Sequence, residues 1–192
     1  MYLFHHKTRV ACFRLGVPLM LVMQVVVMSC LLELAFSLRR RYTVRNGGKC
    51  MKIKPFADLT NRELYEILRL RSQVFIVEQG GRYQDPDGVD YDSIHIFEEA
   101  GAVTGCIRVF PKPDEPGTVQ LGRLVVRDRK QGLGRQLMEE AEKVAISAWN
   151  ARSLYLTGRA DALGFYQKCG YEIQAPGIVD GKICYYHLRK NL

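Results

Sequence analysis

Hydrophobic residues recur at helical spacing in three stretches of the chain after residue 50. In the first stretch, Thr60 and Glu63 stand at the spacing of a capping box, which predicts a helix over residues 60–77. The second stretch predicts a helix over residues 132–149. The third predicts a short helix that ends at Gly170, because glycine is favoured just after helix ends.

The stretches between these helices have the alternation and the β-branched or aromatic content of strands. They read MKIKPF, SIHIFEE, VTGCIRVF, VQLGRLVV, SLYLTG, YEIQ and KICYYHL, and Gly, Pro and Asp residues separate them. The last two are predicted to form a hairpin around Asp180 and Gly181. The element order is β-α-β-β-β-α-β-α-β-β, which predicts one mixed α/β domain of about 140 residues.

The first 50 residues differ from the rest in hydropathy. Residues 17–32 are nearly all apolar and lie between two basic groups. This pattern fits a signal peptide with AFS at residues 35–37 as its cleavage site, or a membrane anchor. A third interpretation is favoured: the protein starts at Met51, and residues 1–50 are a leader created by a mis-assigned start. The domain is then residues 51–192.

Charge separates the same two parts of the chain. Residues 1–50 carry eight Lys and Arg against one Glu, whereas residues 51–192 carry twenty Lys and Arg against nineteen Asp and Glu. Most of the net charge of +8 therefore lies in the leader. The near-neutral domain argues against a nucleic-acid partner, and a membrane partner is expected only if the leader is a true anchor.

Cysteine and histidine usage predicts neither a disulfide nor a metal site. The domain has an odd number of cysteines, Cys106, Cys169 and Cys184, without CxxC spacing, which favours a reducing, cytoplasmic location. The four histidines never stand at ligand spacing from a cysteine, so no metal is expected.

A basic corner with two glycines joins the strand VQLGRLVV to the second helix. It reads RKQGLG over residues 129–134, and its glycines let the backbone come close to a ligand. Helix N-termini present free N–H groups and the positive end of the helix dipole, so the corner is a candidate anion site. Walker and Rossmann patterns do not fit, because Gly-Lys-Ser/Thr is absent and Leu137 replaces the third Rossmann glycine. The alternative is a solvated basic turn.

The stretch LGFYQKCGY, residues 163–171, together with Arg129-x-x-Gly132-x-Gly134 resembles the GNAT family of N-acetyltransferases. In that family the glycine loop binds the pyrophosphate of acetyl-CoA, and the Phe-Tyr helix lies beside the thiol. The resemblance implies a single GNAT-like domain with a mixed, mostly antiparallel sheet flanked by helices. The implied acetyl-CoA contacts come from the preceding strand, through its main chain, and from the loop: Leu124, Val125, Val126, Arg129, Lys130, Gln131, Gly132, Leu133, Gly134 and Arg135.

The first half of the domain narrows the resemblance. LRSQVFIVEQGGRYQDPDGVD, residues 70–90, is similar to the ElaA-type subgroup, so the likeness extends over all of residues 51–192. Three features depart from the usual pattern. The glycine corner is slightly short, Lys130 stands where a glycine is usual, and Ile183-Cys184 replaces a usual Pro-His.

The implied reaction is attack of an amine on the thioester of acetyl-CoA, with departure of the thiolate. Tyr166 is the predicted acid, because a phenol with a pKa of about 10 stays protonated at neutral pH and can protonate the thiolate. Two bases are predicted: Glu78, which an apolar run is expected to half-bury, and the strand residue His95. For Tyr166 and His95 the alternative is a packing role.

The acidic loop of residues 78–92 is predicted to attract a cationic acceptor, with Asp85, Asp87 and Arg123 on the acceptor side. The alternatives are that the aspartates only form a turn and that Arg123 forms a surface ion pair. The predicted function is transfer of the acetyl group of acetyl-CoA to a primary amine of a small molecule or peptide. One alternative is an enzyme on the same fold that resembles acyl-homoserine-lactone synthases, suggested by RSQVF at residues 71–75. Another is a non-catalytic domain that binds acyl-CoA.

Overall fold

The computed structural model describes residues 42–46, 49–180 and 183–192. The apolar stretch that predicts a signal peptide or an anchor lies outside these residues. Within the described ranges, no helix is long and apolar enough to cross a membrane. Tyr42–Leu192 pack as one compact unit.

Eight strands form a single sheet. They are β1 (Tyr42–Asn46), β2 (Lys49–Pro55), β3 (Ile94–Ala100), β4 (Ala102–Pro111), β5 (Thr118–Val126), β6 (Ser153–Arg159), β7 (Glu172–Asp180) and β8 (Ile183–Asn191). Their order in the sheet is β1-β2-β3-β4-β5-β6-β8-β7, and all neighbours pair antiparallel except β5 and β6, which run parallel. The predicted mixed, mostly antiparallel sheet is confirmed.

The sheet begins upstream of the predicted domain boundary. β1 pairs with β2 from Tyr42 to Asn46, so the sheet includes residues of the segment that the sequence assigns to the leader. β3 pairs with β2 only over Met51–Pro55, and a chain that starts at Met51 keeps that entire pairing. Such a start would remove β1 and the first two residues of β2, Lys49 and Cys50, and it stays a prediction.

In the described part of the chain, three α-helices accompany the sheet: α1 (Asn61–Arg71), α2 (Leu133–Trp149) and α3 (Leu163–Lys168). The predicted capping box begins α1: the Thr60 side chain accepts from the Glu63 N–H, and the Glu63 carboxylate accepts from the Thr60 N–H. α1 continues as a π-helical segment, Ser72–Glu78, where the sequence predicts one uniform helix. Such wide turns are rare and are frequent at functional sites.

Side chains alternate between the two faces of the sheet, and a long helix covers each face. Ile96 and Ile107 pack in the core under α2, whereas their neighbours Phe97 and Cys106 pack in the core under α1. All four are at most 2% exposed. The central strands β3 and β4 are therefore buried on both sides, and they form the rigid base on which β5 lies.

Candidate active site

β5 and β6 pair at their beginnings and then part. The parallel ladder joins Thr118–Gln120 to Ser153–Tyr155. Past this ladder, within the described residues, β5 pairs only with β4 and β6 only with β8. Main-chain groups of β5 therefore face a gap, and an extended ligand can bind such a strand edge through backbone hydrogen bonds.

A bulge interrupts β5 beside the gap. Arg123 and Leu124 together oppose the single β4 residue Ile107. Arg123 has a φ of 56°, a left-handed conformation that is uncommon for residues other than glycine. The side chain of Val125 is buried, and those of Leu124 and Val126 are half-buried against the core. These three residues thus offer a ligand mainly their backbone.

The glycine corner lies between the end of β5 and the start of α2. Lys130 and Gly132 have left-handed φ values of 64° and 83°. No side chain caps the N-terminus of α2, and its first turn contains no acidic residue. The free N–H groups and the positive end of the helix dipole are therefore available to an anion. The left-handed φ of Lys130 also explains why glycine is usual at that position.

The glycine corner, β5 and α3 meet at Gly134. A Cβ atom added to Gly134 would lie 3.5 Å from the ring of Phe165 and 3.9 Å from Val126. The first turn of α2 thus rests on the α3 ring that precedes Tyr166 in the chain. The structure brings the predicted pyrophosphate loop and the predicted acid into one site.

Tyr166 lies on the β6 side of the gap. Its ring packs on Gly158 of β6, where an added Cβ would come within 2.6 Å of the ring. Phe165 and Tyr171 contact the Tyr166 ring edge-on, at centroid distances of 5.2 and 6.4 Å. Burial raises the pKa of Tyr166 to about 12. The sequence did not point to Gly158, whose importance comes from the ring above it.

The two predicted bases differ in exposure. Glu78 is not half-buried: its side chain is 45% exposed and lies 3.4 Å from the Arg129 guanidinium of the glycine corner. His95 is 1% exposed, and its Nε2 lies 3.2 Å from the carbonyl oxygen of Asp90. Burial lowers the pKa of His95, so the imidazole is neutral at pH 7.

Arginines neutralise the acidic loop. The Asp85 carboxylate lies 2.8 Å from Arg71 and 2.7 Å from Arg123. Asp87 receives hydrogen bonds from both terminal nitrogens of Arg108, at 2.7 and 2.5 Å. The expectation of an acidic collar that draws in a cation is therefore not met by Asp85 and Asp87. These three arginines lie on α1, β4 and β5, and no local sequence motif predicts that they converge.

Three further side-chain contacts involve Arg123 of β5 and Arg159 of β6, past the point where the two strands part. The Gln79 side-chain oxygen accepts a hydrogen bond of 3.0 Å from Arg159 at the end of β6. Arg159 also binds Asp161 at 2.8 Å, and the ring of Tyr83 lies 5.7 Å from the Arg123 guanidinium. Sequence reasoning missed Gln79, Tyr83 and Arg159. Across the described residues, no group of three or more His, Cys, Asp or Glu could hold a metal ion.

Sequence comparisons identify relatives over most of the domain. The model of the Acetyltransferase (GNAT) family matches residues 57–171. Protein ElaA of Escherichia coli is 32% identical over 120 residues, which span 60% of this chain and 78% of ElaA. A UPF0039 protein of Schizosaccharomyces pombe is 29% identical over 144 residues, which span 72% of this chain and 95% of that protein.

Solved structures share the fold. The crystal structure of Escherichia coli ElaA has a TM-score of 0.68 at 28% identity and covers 74% of this chain and 99% of its own. An acyl-CoA N-acyltransferase from Pseudomonas aeruginosa has a TM-score of 0.68 at 33% identity, with the same two coverages. A Bacillus subtilis acetyltransferase in complex with CoA has a TM-score of 0.52 at 22% identity, covers 74% of this chain and 97% of its own, and supports the fold.

Proposed function

The chain belongs to the Acetyltransferase (GNAT) family, in its ElaA-type subgroup, and we propose that it moves the acetyl group of acetyl-CoA directly to a primary amine. As a member of this family it is an acyltransferase that takes its acyl group from CoA. The observation that carries the proposal is the gap between β5 and β6, with the glycine corner at its mouth and Tyr166 on its β6 side.

The chain offers suitable groups for acetyl-CoA. The N-terminus of α2 has N–H groups without a capping side chain, and Arg129 and Arg135 beside it are 62% and 67% exposed. A pyrophosphate would receive main-chain donors there, together with positive charge. The unpaired edge of β5 is suited to hydrogen bonds with the amide groups of a pantetheine arm, through the main chain of residues 124–126.

The acid step is assigned to Tyr166. The amine nitrogen attacks the carbonyl carbon of the thioester, the carbon–sulfur bond breaks, and the thiolate takes a proton from the Tyr166 hydroxyl. Since burial raises the pKa of Tyr166 to about 12, the phenol keeps its proton at neutral pH. Main-chain N–H groups at the β5 bulge are assigned the stabilisation of the carbonyl oxygen as negative charge develops.

The base step is assigned to Glu78, acting directly or through a water molecule. Glu78 is exposed and lies at the glycine corner, where its partner Arg129 belongs to the pyrophosphate loop. An incoming amine can approach it. We place His95 second, because a side chain that is 1% exposed cannot meet a substrate without a change in the loop around Asp90.

The acceptor is a primary amine on a small molecule or a peptide. Since Asp85 and Asp87 are paired with arginines, the structure lends no support to selection for cationic acceptors. A cytoplasmic site of action is supported by the three cysteines of the domain, all of which are free thiols.

Incubation of the protein with acetyl-CoA and a pooled library of primary amines tests the proposal. We expect release of free CoA thiol that depends on the amine, together with acetylated amine detected by mass spectrometry. The Tyr166→Phe variant serves as the matched control for turnover. Tight binding of acetyl-CoA without amine-dependent thiol release would instead indicate a non-catalytic acyl-CoA-binding domain.

A further inference from the structure

Six charged side chains form a cluster beneath the acidic loop, which we call the Arg–Asp network. Three are arginines from three different elements, α1, β4 and β5, and three are aspartates from the loop. Its members are Arg71, Arg108, Arg123, Asp85, Asp87 and Asp90. Four of them, two arginines and two aspartates, are at most 6% exposed, so this network lies in the interior and is little screened by solvent.

Arg71 forms the inner end of the network. It donates from Nε to Asp85 at 2.8 Å and from Nη1 to Asp90 at 2.7 Å. A further bond from Nη2 reaches the carbonyl oxygen of Asp85 at 3.2 Å. Asp85 is thereby held both by its side chain and by its backbone, so α1 sets the position of the loop.

Arg123 forms the outer end, on the bulge of β5. Its Nε lies 2.7 Å from the carboxylate of Asp85, and its Nη2 donates to the Asp85 carbonyl oxygen and to Asp87, both at 3.0 Å. The guanidinium therefore makes two hydrogen bonds and one close ion-pair contact. Asp87 is itself held by Arg108 of β4, the residue that pairs with Gly122 next to the bulge.

The backbone of Arg123 is unfavourable without this support. Its φ of 56° is left-handed, and this conformation costs a residue with a Cβ atom roughly 1–2 kcal/mol. A non-glycine residue keeps such a conformation when its surroundings over-determine it. The contacts from Asp85 and Asp87 are the surroundings that do so at Arg123.

We propose that Arg123 is a positioning residue: its side chain, held by Asp85 and Asp87, keeps the β5 bulge in the shape that presents the backbone of Leu124–Val126 to the acyl thioester. This inference rests on the proposed function for its catalytic consequence. It assigns the acidic loop a different task from substrate attraction, because its carboxylates hold an arginine of the acyl-binding strand.

A pair of substitutions separates this role from a contact with the acceptor. Arg123→Ala removes the guanidinium and leaves a Cβ atom that opposes the left-handed backbone. Arg123→Gly removes the same guanidinium, but glycine adopts that backbone without strain. If the side chain acts through the bulge, the glycine variant must perform better than the alanine variant, although both lack the same charge.

We expect Arg123→Ala to lower kcat by about 10²-fold and to weaken acetyl-CoA binding, since small displacements of reacting groups have effects of this size. Arg123→Gly should recover roughly a factor of ten in kcat and in acetyl-CoA affinity, which corresponds to the 1–2 kcal/mol cost of the left-handed backbone. Arg69→Ala is the control for removal of a paired arginine away from the bulge, because Arg69 lies on α1, pairs with an acid, Glu66, at 2.8 Å, and is 58% exposed. It should leave both quantities unchanged.

The readouts include two that do not depend on turnover. Calorimetry gives the acetyl-CoA affinity, and amide hydrogen exchange at residues 124–126 reports the bulge itself. Faster exchange in the alanine variant than in the glycine variant supports the inference. Equal exchange and equal affinity in the two variants would overturn it, as would losses confined to the KM of the amine.

Two outcomes need separate treatment. If Arg123→Ala does not fold, Arg123→Gln replaces it: glutamine keeps a Cβ atom and loses the cation, so the glycine variant must bind acetyl-CoA more tightly than the glutamine variant, and equal or tighter binding by glutamine overturns the inference. If the parent protein acetylates no amine, the proposed function fails, yet affinity and exchange still decide whether Arg123 sets the bulge.

Discussion

The two loops that border the gap offer a ligand different kinds of group. On the glycine-corner side, the main chain carries the site: left-handed residues Lys130 and Gly132 lead into an uncapped helix. On the acidic-loop side, side chains dominate, and the carboxylates of Asp85 and Asp87 already have arginine partners. The glycine corner has uncapped main-chain N–H groups that can bind an anionic ligand. In the acidic loop, the charges of Asp85 and Asp87 are already compensated by arginines of the same protein.

This difference affects how each region should respond to mutation. A main-chain site tolerates changes of side-chain charge and is sensitive to backbone conformation. A buried network of paired charges behaves in the opposite way, because removal of one member leaves its partner charged and without compensation. Four substitutions test this contrast, from the largest expected effect to the smallest.

Arg71→Met should give the largest effect on stability. It leaves Asp85 and Asp90 without their main partner in the interior, and loss of one member of a buried pair costs about 3–5 kcal/mol. Urea unfolding measures the change in the free energy of unfolding. Arg69→Met, two residues away and exposed, should change it by no more than about 0.5 kcal/mol. Similar losses of unfolding free energy in both variants would contradict the conclusion that buried arginines compensate Asp85 and Asp90.

Tyr166→Phe should give the largest effect on turnover without a matching loss of stability. It keeps the ring that packs on Gly158 and removes the proton donor, so kcat should fall by about 10²-fold while acetyl-CoA affinity is kept. The raised pKa of about 12 means that the donor is protonated at every lower pH. The parent pH–rate profile should therefore show no loss of rate from Tyr166 below pH 10. A rate within about twofold of the parent would return Tyr166 to a packing role.

Substitutions at Gly132 test the main-chain site. A Cβ there meets no atom within 4 Å, so space is not the obstacle, but the φ of 83° is unfavourable for a β-branched residue. Gly132→Val should weaken acetyl-CoA binding and lower stability by roughly 1–2 kcal/mol. Gly132→Asn is the control, because asparagine tolerates the left-handed region, and it should retain most of the stability and affinity. Calorimetry and thermal unfolding provide the measurements, and equal behaviour of the two variants would argue against a conformational requirement at this residue.

Glu78→Gln should give the smallest effect, because the carboxylate is exposed and its only described partner is Arg129 at 3.4 Å. If Glu78 accepts the amine proton, the rate should fall most at low pH, where the free amine is scarce. A pH–rate profile for both proteins on the best amine of the library makes the comparison. Parallel profiles would show that the proton leaves by another route.

Much of the fold was predictable from local pattern. The helix start at Thr60, the helix α2 and the order of the elements along the chain from β2 onward follow from periods of hydrophobic residues and from capping and turn residues, which act over a few positions. Two features were not predictable in this way. The π-helical turn of Ser72–Glu78 lies within a helical pattern, and β1 lies in a segment whose composition indicates a leader.

The sequence by itself determined the main-chain half of the site. The two glycines of the corner, Gly132 and Gly134, can be read directly, because few residue types permit a left-handed backbone or a close approach, and their spacing is local. Only the tertiary structure decided which carboxylates are paired with arginines. Asp85, Asp87 and Glu78 look alike along the chain, yet the first two are paired with Arg71, Arg108 and Arg123 and the third is exposed. Whether a carboxylate is free or neutralised depends on residues brought near it by folding, and Coulombic attraction acts through space with no regard for sequence separation.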